Sequence, residues 1–167
     1  CVYCHTPHNG GTDAPLWNRP AGAALTYYNS TTLEVASKPS VIAANAAANN
    51  TDLPVCMSCH DGVTQLDAIS NPTGSETYGF TPAVMAAGNK NLGTSLQNDH
   101  PVGMTYSVGT GAGQDPGFNA TGSLTLAKLY GGAVECASCH NPHEDTLATF
   151  LRADNAGSAL CLDCHIK

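Results

Sequence analysis

The feature that most constrains this chain is a Cys-x-x-Cys-His motif that occurs four times in 167 residues. The first to fourth motifs begin at Cys1, Cys56, Cys136 and Cys161, and together they use all eight cysteines. Disulfide bonds and structural zinc both account for paired cysteines, but neither predicts a histidine directly after each pair. With 7 histidines in the chain, chance would fill all four positions about 3 times in a million.

Covalent haem accounts for every residue of the motif. In c-type attachment the two thiols add to the haem vinyl groups as thioethers, and the adjacent imidazole binds the iron. We therefore predict four haem c groups, each with one proximal histidine. The attachment residues are Cys1, Cys4, Cys56, Cys59, Cys136, Cys139, Cys161 and Cys164, and the proximal ligands are His5, His60, His140 and His165.

The composition favours the same interpretation. Hydrophobic residues make up 42% of the chain, but only 3 Phe and 1 Trp are present, so few large side chains can fill a core. Haem groups would supply a rigid apolar interior instead. We expect a mostly irregular, haem-cored fold with a few short α-helices and little β-structure. Helices are expected at residues 40–49, 82–90, 123–130 and 158–166, with a helical turn at each motif and a loop at 109–117.

Charge and hydropathy exclude several classes of function. The chain has 6 basic and 13 acidic residues, and its net charge of −7 argues against nucleic acid and anionic membranes as partners. No apolar run approaches the roughly 18 residues that a membrane span needs. Thioether attachment takes place outside the cytoplasm, so we expect an extracellular or cell-surface protein, with the periplasm as the alternative.

Three further histidines are candidates for distal iron ligands, since a six-coordinate haem needs two axial groups. His8 and His143 follow the first and third motifs in the same His-x-Pro-His arrangement, and His100 precedes Pro101 far from any cysteine pair. A residue three positions from a proximal histidine cannot reach the opposite face of the same haem. We therefore expect His8 to serve the second haem, His143 the fourth and His100 the third.

Seven histidines leave one of the eight axial positions without a ligand. The motifs form an internal repeat of two dihaem halves, about 1–70 and 95–167, within a single tetrahaem unit over 1–167, with a boundary near 66–95. A leading histidine such as His100 is missing from the first half, so the repeat favours an N-terminal segment that this sequence does not include. The two alternatives are a methionine ligand and an open iron site. The candidate methionines are Met57, Met85 and Met104.

Several stretches together resemble the doubled-CXXCH multihaem cytochromes. They are Cys-Val-Tyr-Cys-His-Thr-Pro-His at 1–8, Pro-Leu-Trp-Asn-Arg at 15–19, Cys-Met-Ser-Cys-His-Asp-Gly at 56–62, Asp-His-Pro-Val at 99–102 and Cys-Ala-Ser-Cys-His-Asn-Pro-His at 136–143. The spacing is also similar to that of tetrahaem subunits of extracellular cytochrome filaments. This resemblance implies a homopolymer assembled head to tail, a continuous stack of haems, and an axial histidine that crosses the subunit boundary. It also implies other multihaem cytochromes or extracellular electron acceptors as partners.

The expected function is electron transfer through four mainly bis-His haems, in a subunit of an extracellular electron-conducting filament. The alternatives are a discrete soluble electron shuttle and a multihaem reductase with one open haem. We expect no enzyme activity and identify no catalytic residue, because no lysine replaces a proximal histidine and no cluster of Arg, Tyr and His marks a pocket. Trp17 and the pair Tyr27 and Tyr28 are candidates for packing on porphyrin edges or in an ordinary core.

Overall fold

The fold is mostly irregular, and its few regular elements are short. The computed structural model describes residues 1–11, 14–28, 52–72 and 79–167, and the predicted helix at 40–49 lies outside them. The α-helices are α1 (Leu53–His60), α2 (Cys136–Cys139) and α3 (Ala159–Cys164). Single 3₁₀ turns cover Thr121–Ser123, Ala148–Phe150 and Ala156–Ser158. The expectation of a few short helices and little β-structure is confirmed, and so is the helix predicted at 158–166.

One small antiparallel sheet pairs β1 (Met104–Thr105) with β2 (Ala133–Val134). Its register places Met104 opposite Val134. Both of these residues belong to an apolar cluster with Tyr106 and Phe118, whose rings stack at 4.7 Å between centroids. The sheet therefore serves to bring two distant segments of the chain into one small core.

The Tyr106 hydroxyl connects this core to the last motif. It lies 2.8 Å from the carbonyl oxygen of Asn119 and 2.9 Å from that of Cys164. Burial raises the pKa of Tyr106 to about 12, and the neighbouring Cys164 and Asp163 add to the effect. The phenol therefore stays protonated and donates to these carbonyls at any physiological pH.

The described residues form two compact units, each of which contains two motifs. The first unit comprises residues up to 28 together with 52–100, and the second comprises 101–167. The division between the two units falls after His100. The dihaem halves, their boundary near 66–95 and the single tetrahaem unit stay predictions.

The helix predicted at 82–90 is wrong, because its backbone groups bind other segments. Val84 forms an antiparallel bridge with Gln65, and the Leu66 N–H donates to the Ala83 carbonyl at 2.7 Å. The Asn91 side-chain amide donates to the carbonyl of Met85. A helix would need these same groups for its own hydrogen bonds. The expected loop at 109–117 is confirmed, and Val108 and Asp115 pair across it.

The helix predicted at 123–130 is also wrong, because a carboxylate binds its backbone. Asp163, inside the fourth motif, accepts main-chain hydrogen bonds from three consecutive residues at 2.8–3.0 Å, and Leu124 before them is extended. The three donors are Thr125, Leu126 and Ala127. Burial alone would raise the pKa of Asp163, but these hydrogen bonds outweigh it and lower the pKa below its ordinary value.

Asp163→Asn tests this contact. An amide has one accepting oxygen, and its NH₂ group would face N–H donors, so we expect the free energy of unfolding to fall by about 1 kcal/mol at neutral pH. The lowered pKa means that the carboxylate contributes stability above its unfolded-state pKa and loses it as the pH falls through the folded-state value. The difference from wild type should therefore shrink in acid. Denaturant unfolding of the haem-loaded protein at several pH values measures it.

The matched control is Asp145→Asn, which removes the same charge at an exposed position. We expect this variant to unfold like wild type. Equal effects of the two substitutions would mean that net charge, not the hydrogen bonds of Asp163, determines the result.

Candidate haem-binding sites

Each motif places its two cysteines on a single helical turn or hydrogen-bonded turn. In the first, third and fourth motifs the histidine N–H donates to the carbonyl of the leading cysteine, at 2.8, 3.0 and 2.8 Å. The second motif lies wholly within α1. His140 and His165 then adopt extended backbone conformations directly after their turns. The sequence prediction of a helical turn at each motif is confirmed.

Three of the four motif histidines have imidazoles that are fixed by the same kind of hydrogen bond. Nδ1 of His5 lies 3.1 Å from the Pro15 carbonyl oxygen. His60 and His140 make equivalent contacts of 2.6 and 2.7 Å, with the carbonyls of Lys90 and Thr149. Because a carbonyl oxygen only accepts, Nδ1 carries the proton and Nε2 keeps its lone pair. These rings are therefore in the tautomer that binds iron through Nε2.

His165 has a different environment. It pairs with Phe118 in an antiparallel bridge, and the two rings meet edge to face at 5.1 Å between centroids. Phe118 belongs to the apolar cluster of the second unit. The fourth motif is therefore positioned by that core.

The cysteine thiols of neighbouring motifs lie close enough to influence one another. Burial raises the pKa of Cys59; Arg19 partly offsets this effect and Cys4 adds to it. The pKa of Cys139 is raised by burial and by the neighbouring Cys161. The first and second motifs are thus neighbours within the first unit, and the third and fourth within the second.

Asn18 connects the first motif to a distant segment of the first unit. Its side chain is fully buried and donates to the carbonyls of Val2 and Asn71 at 2.7 and 3.2 Å. Its own amide oxygen accepts from the Asn71 N–H, and its N–H donates to the carbonyl of Cys4. One side chain therefore replaces the regular structure that would otherwise satisfy these groups.

Arg19 makes an equivalent connection to the second motif. Its guanidinium, in a residue that is 3% exposed, donates twice to the Ser58 carbonyl and once each to the carbonyls of Gln65 and Leu66. Ser58 lies between the two cysteines of the motif. All the partners of Arg19 among the described residues are thus main-chain oxygens, and its positive charge has no carboxylate partner there.

The loops after the first and third motifs are built alike. After the first motif, the Thr6 N–H donates to the Leu16 carbonyl ten residues later, and the Cys4 carbonyl accepts from the N–H of Asn18, 14 residues on. After the third motif, the Asn141 N–H donates to the Phe150 carbonyl nine residues later, and the Cys139 carbonyl accepts from the N–H of Arg152, 13 residues on. His5 bridges Trp17 as His140 bridges Leu151. Trp17 and Leu151 therefore occupy equivalent positions, and the internal repeat extends to backbone structure.

The three predicted distal ligands are all exposed. His8 belongs to the unit that contains the second motif, and His143 to the unit that contains the fourth. His100 is the last residue of the first unit. The pairing of each histidine with a particular iron stays a prediction.

The three methionines differ in surroundings. Met57 is buried in α1, and Met104 packs in the apolar cluster of the second unit. Met85 is partly exposed. The contacts of Met104 are those of a packing residue.

The donor set fits haem c. Each motif offers two thiols from one turn, and His5, His60 and His140 offer a prepared Nε2. A further polar atom in the first unit, the indole Nε1 of Trp17, is buried without a hydrogen-bond partner among the described residues. Such a donor is rare in a folded chain and points to an acceptor that the described residues do not supply.

Residues 131–167 match the doubled CXXCH motif family. The match supports a multihaem c-type cytochrome. It also indicates covalently bound haem c and a role in electron transfer, and it covers the third and fourth motifs. No curated protein matches the chain. Within the described residues, no helix is long and apolar enough to span a membrane.

Sequence reasoning missed the buried polar residues that position the motifs. Asn18 and Arg19 stand in the Pro-Leu-Trp-Asn-Arg stretch, and Asp61 follows the second motif. Asp61 is fully buried and accepts from the N–H groups of Ala23, Val63 and Thr64. The available signal was that each of these polar residues stands directly after a motif or in a stretch that follows one.

Arg19→Met tests the connection between Arg19 and the second motif. The substitution keeps an unbranched apolar stem but leaves three carbonyls without their donor, so we expect a loss of about 2–4 kcal/mol in the free energy of unfolding. Arg152→Met is the matched control, because Arg152 is only partly buried and donates to one carbonyl and one tyrosine hydroxyl. Its loss should be clearly smaller. Equal losses in denaturant unfolding would contradict the importance of burial at Arg19.

Proposed function

We propose that the chain transfers electrons through four covalently bound, mainly bis-His haem c groups. The observation that carries the proposal is that all four motifs have the same local structure, in which two thiols on one turn are followed by a histidine. The pairing of motifs within each unit adds support, because electrons transfer efficiently only between closely spaced irons. A bound haem supplies an iron that alternates between the ferric and ferrous states.

The protein would control this chemistry through its ligands and their hydrogen bonds. A carbonyl that accepts from Nδ1 makes the imidazole a stronger electron donor, and two imidazoles per iron give lower potentials than a His and Met pair. His5, His60 and His140 have this hydrogen bond. The proposed haems are therefore low-potential carriers, with His8, His100 and His143 as the distal ligands.

Intact mass and metal analysis test the number of haems. Because all eight cysteines lie in motifs, we expect four haem additions and four irons per chain, with no stoichiometric zinc. Replacing Cys161 and Cys164 by serine removes the thiols of one motif and should lower the count to three. Asp145→Asn, which changes no motif, should retain four. Zinc in place of iron, or thiols that remain free in the mature protein, would overturn the proposal.

We further propose that the chain is a subunit of an extracellular or cell-surface filament, in which copies associate head to tail. The support is the similarity of its motif spacing to filament cytochromes. Electrostatics oppose association at long range, because eight propionates and four ferric centres bring the net charge of −7 to about −11. Contact between copies therefore needs buried surface, shared ligands or bound cations.

Ionic strength provides the test of assembly. Added salt shortens the Debye length from about 30 Å at 0.01 M to about 8 Å at 0.15 M, which reduces the repulsion between like-charged subunits. We therefore expect filaments in electron micrographs at physiological salt and fewer at low salt. Monodisperse particles with the sedimentation coefficient of a monomer at every concentration would instead identify a discrete electron shuttle. High-spin haem that binds carbon monoxide would favour the reductase.

A further inference from the structure

Trp17 carries a buried donor that the described residues leave without a partner. It is the single tryptophan of the chain and is 7% exposed, and its Nε1 has no hydrogen-bond partner among the described residues. An indole nitrogen can only donate, so no change of tautomer or rotation of a hydroxyl can satisfy it. Buried donors are almost always paired in folded proteins, so this one needs an acceptor beyond the described residues.

The position of this donor is fixed by its backbone. The Trp17 N–H donates to the Ala14 carbonyl at 3.1 Å, and its carbonyl accepts from Gly11 at 2.7 Å. The residue also forms a bridge with His5, and the two rings meet edge to face at 5.7 Å with an angle of 83°. The indole therefore lies directly beside the imidazole of the first motif.

The equivalent loop of the second unit has no such donor. Leu151 occupies the position of Trp17 and makes the same bridge, with His140. A tryptophan is thus unnecessary for building this loop or for placing a proximal histidine. The N–H group of Trp17 must therefore have a partner in the first unit that the equivalent loop of the second unit does not need.

We propose that the indole N–H of Trp17 donates a hydrogen bond to a propionate carboxylate of the haem attached at Cys1 and Cys4. The inference rests on the proposed haem attachment. In a haem c the four pyrrole nitrogens are bound to iron and the vinyl groups are thioethers, so only the two propionates accept hydrogen bonds. A buried N–H on an indole whose ring lies edge to face with that of His5 is a suitable donor for one of them. The neutral indole would orient this haem without adding charge.

The single tryptophan makes the test direct. In ¹⁵N-labelled, fully reduced holoprotein the low-spin haems are diamagnetic, and the chain gives one indole N–H resonance. We expect this proton to exchange slowly with solvent and to show nuclear Overhauser effects to the propionate methylene protons of one haem. Effects from that haem to protons of Cys1 or Cys4 identify it as the first. Fast exchange, or contacts with water or protein atoms alone, would overturn the inference.

Trp17→Phe gives an independent measurement, because it keeps an aromatic ring and removes the N–H. We expect four haems to remain and a propionate carboxylate band to shift in the infrared difference spectrum between the oxidised and reduced protein. An unchanged spectrum would contradict the hydrogen bond. If the variant does not fold, the measurement on the wild-type indole still decides the question.

Peptide mapping separates failure of this inference from failure of the proposed function. If the peptide that contains Cys1 and Cys4 carries no haem, both are wrong. If it carries haem while the indole shows no propionate contact, only the role of Trp17 is wrong.

Discussion

The hydrogen bond between Nδ1 of a motif histidine and a main-chain carbonyl is the interaction on which three of the four candidate sites depend. It selects the tautomer and fixes the ring plane. The accepting carbonyls of Pro15, Lys90 and Thr149 lie 9 to 30 residues away from their histidines in sequence. The order of each of these three sites therefore depends on the irregular segment that supplies its carbonyl.

Buried polar side chains, not helices and sheets, order those segments. Asn18, Arg19 and Asp61 are at most 3% exposed, and their partners are almost all main-chain groups. A chain with little regular structure must satisfy its backbone in another way, since an unpaired buried N–H or C=O costs roughly as much as a lost hydrogen bond. This polar core explains how so few large apolar residues can hold a defined fold.

The sequence was sufficient to predict the structure wherever that structure depends on residues close together in the chain. The turn of each motif follows from hydrogen bonds between residues three or four apart, and the helix Ala159–Cys164 follows from a local pattern. The failures at 82–90 and 123–130 have a tertiary cause, because Leu66 and Asp163 bind backbone groups that a helix would use. Arg19 likewise contacts carbonyls 39 to 47 residues away, a relation that no local pattern encodes.

The two equivalent loops show how one backbone can give unlike surroundings to two motif histidines. In the first unit, the indole of Trp17 lies beside the imidazole of His5. The buried guanidinium of Arg19, two residues later, donates to the Ser58 carbonyl in the second motif. In the second unit, Leu151 offers no donor, and Arg152 is only partly buried. Haem potentials respond to nearby charges and donors as well as to axial ligands. Haems with the same ligands in the two units would therefore have different potentials, and the difference would come from side chains outside the motifs.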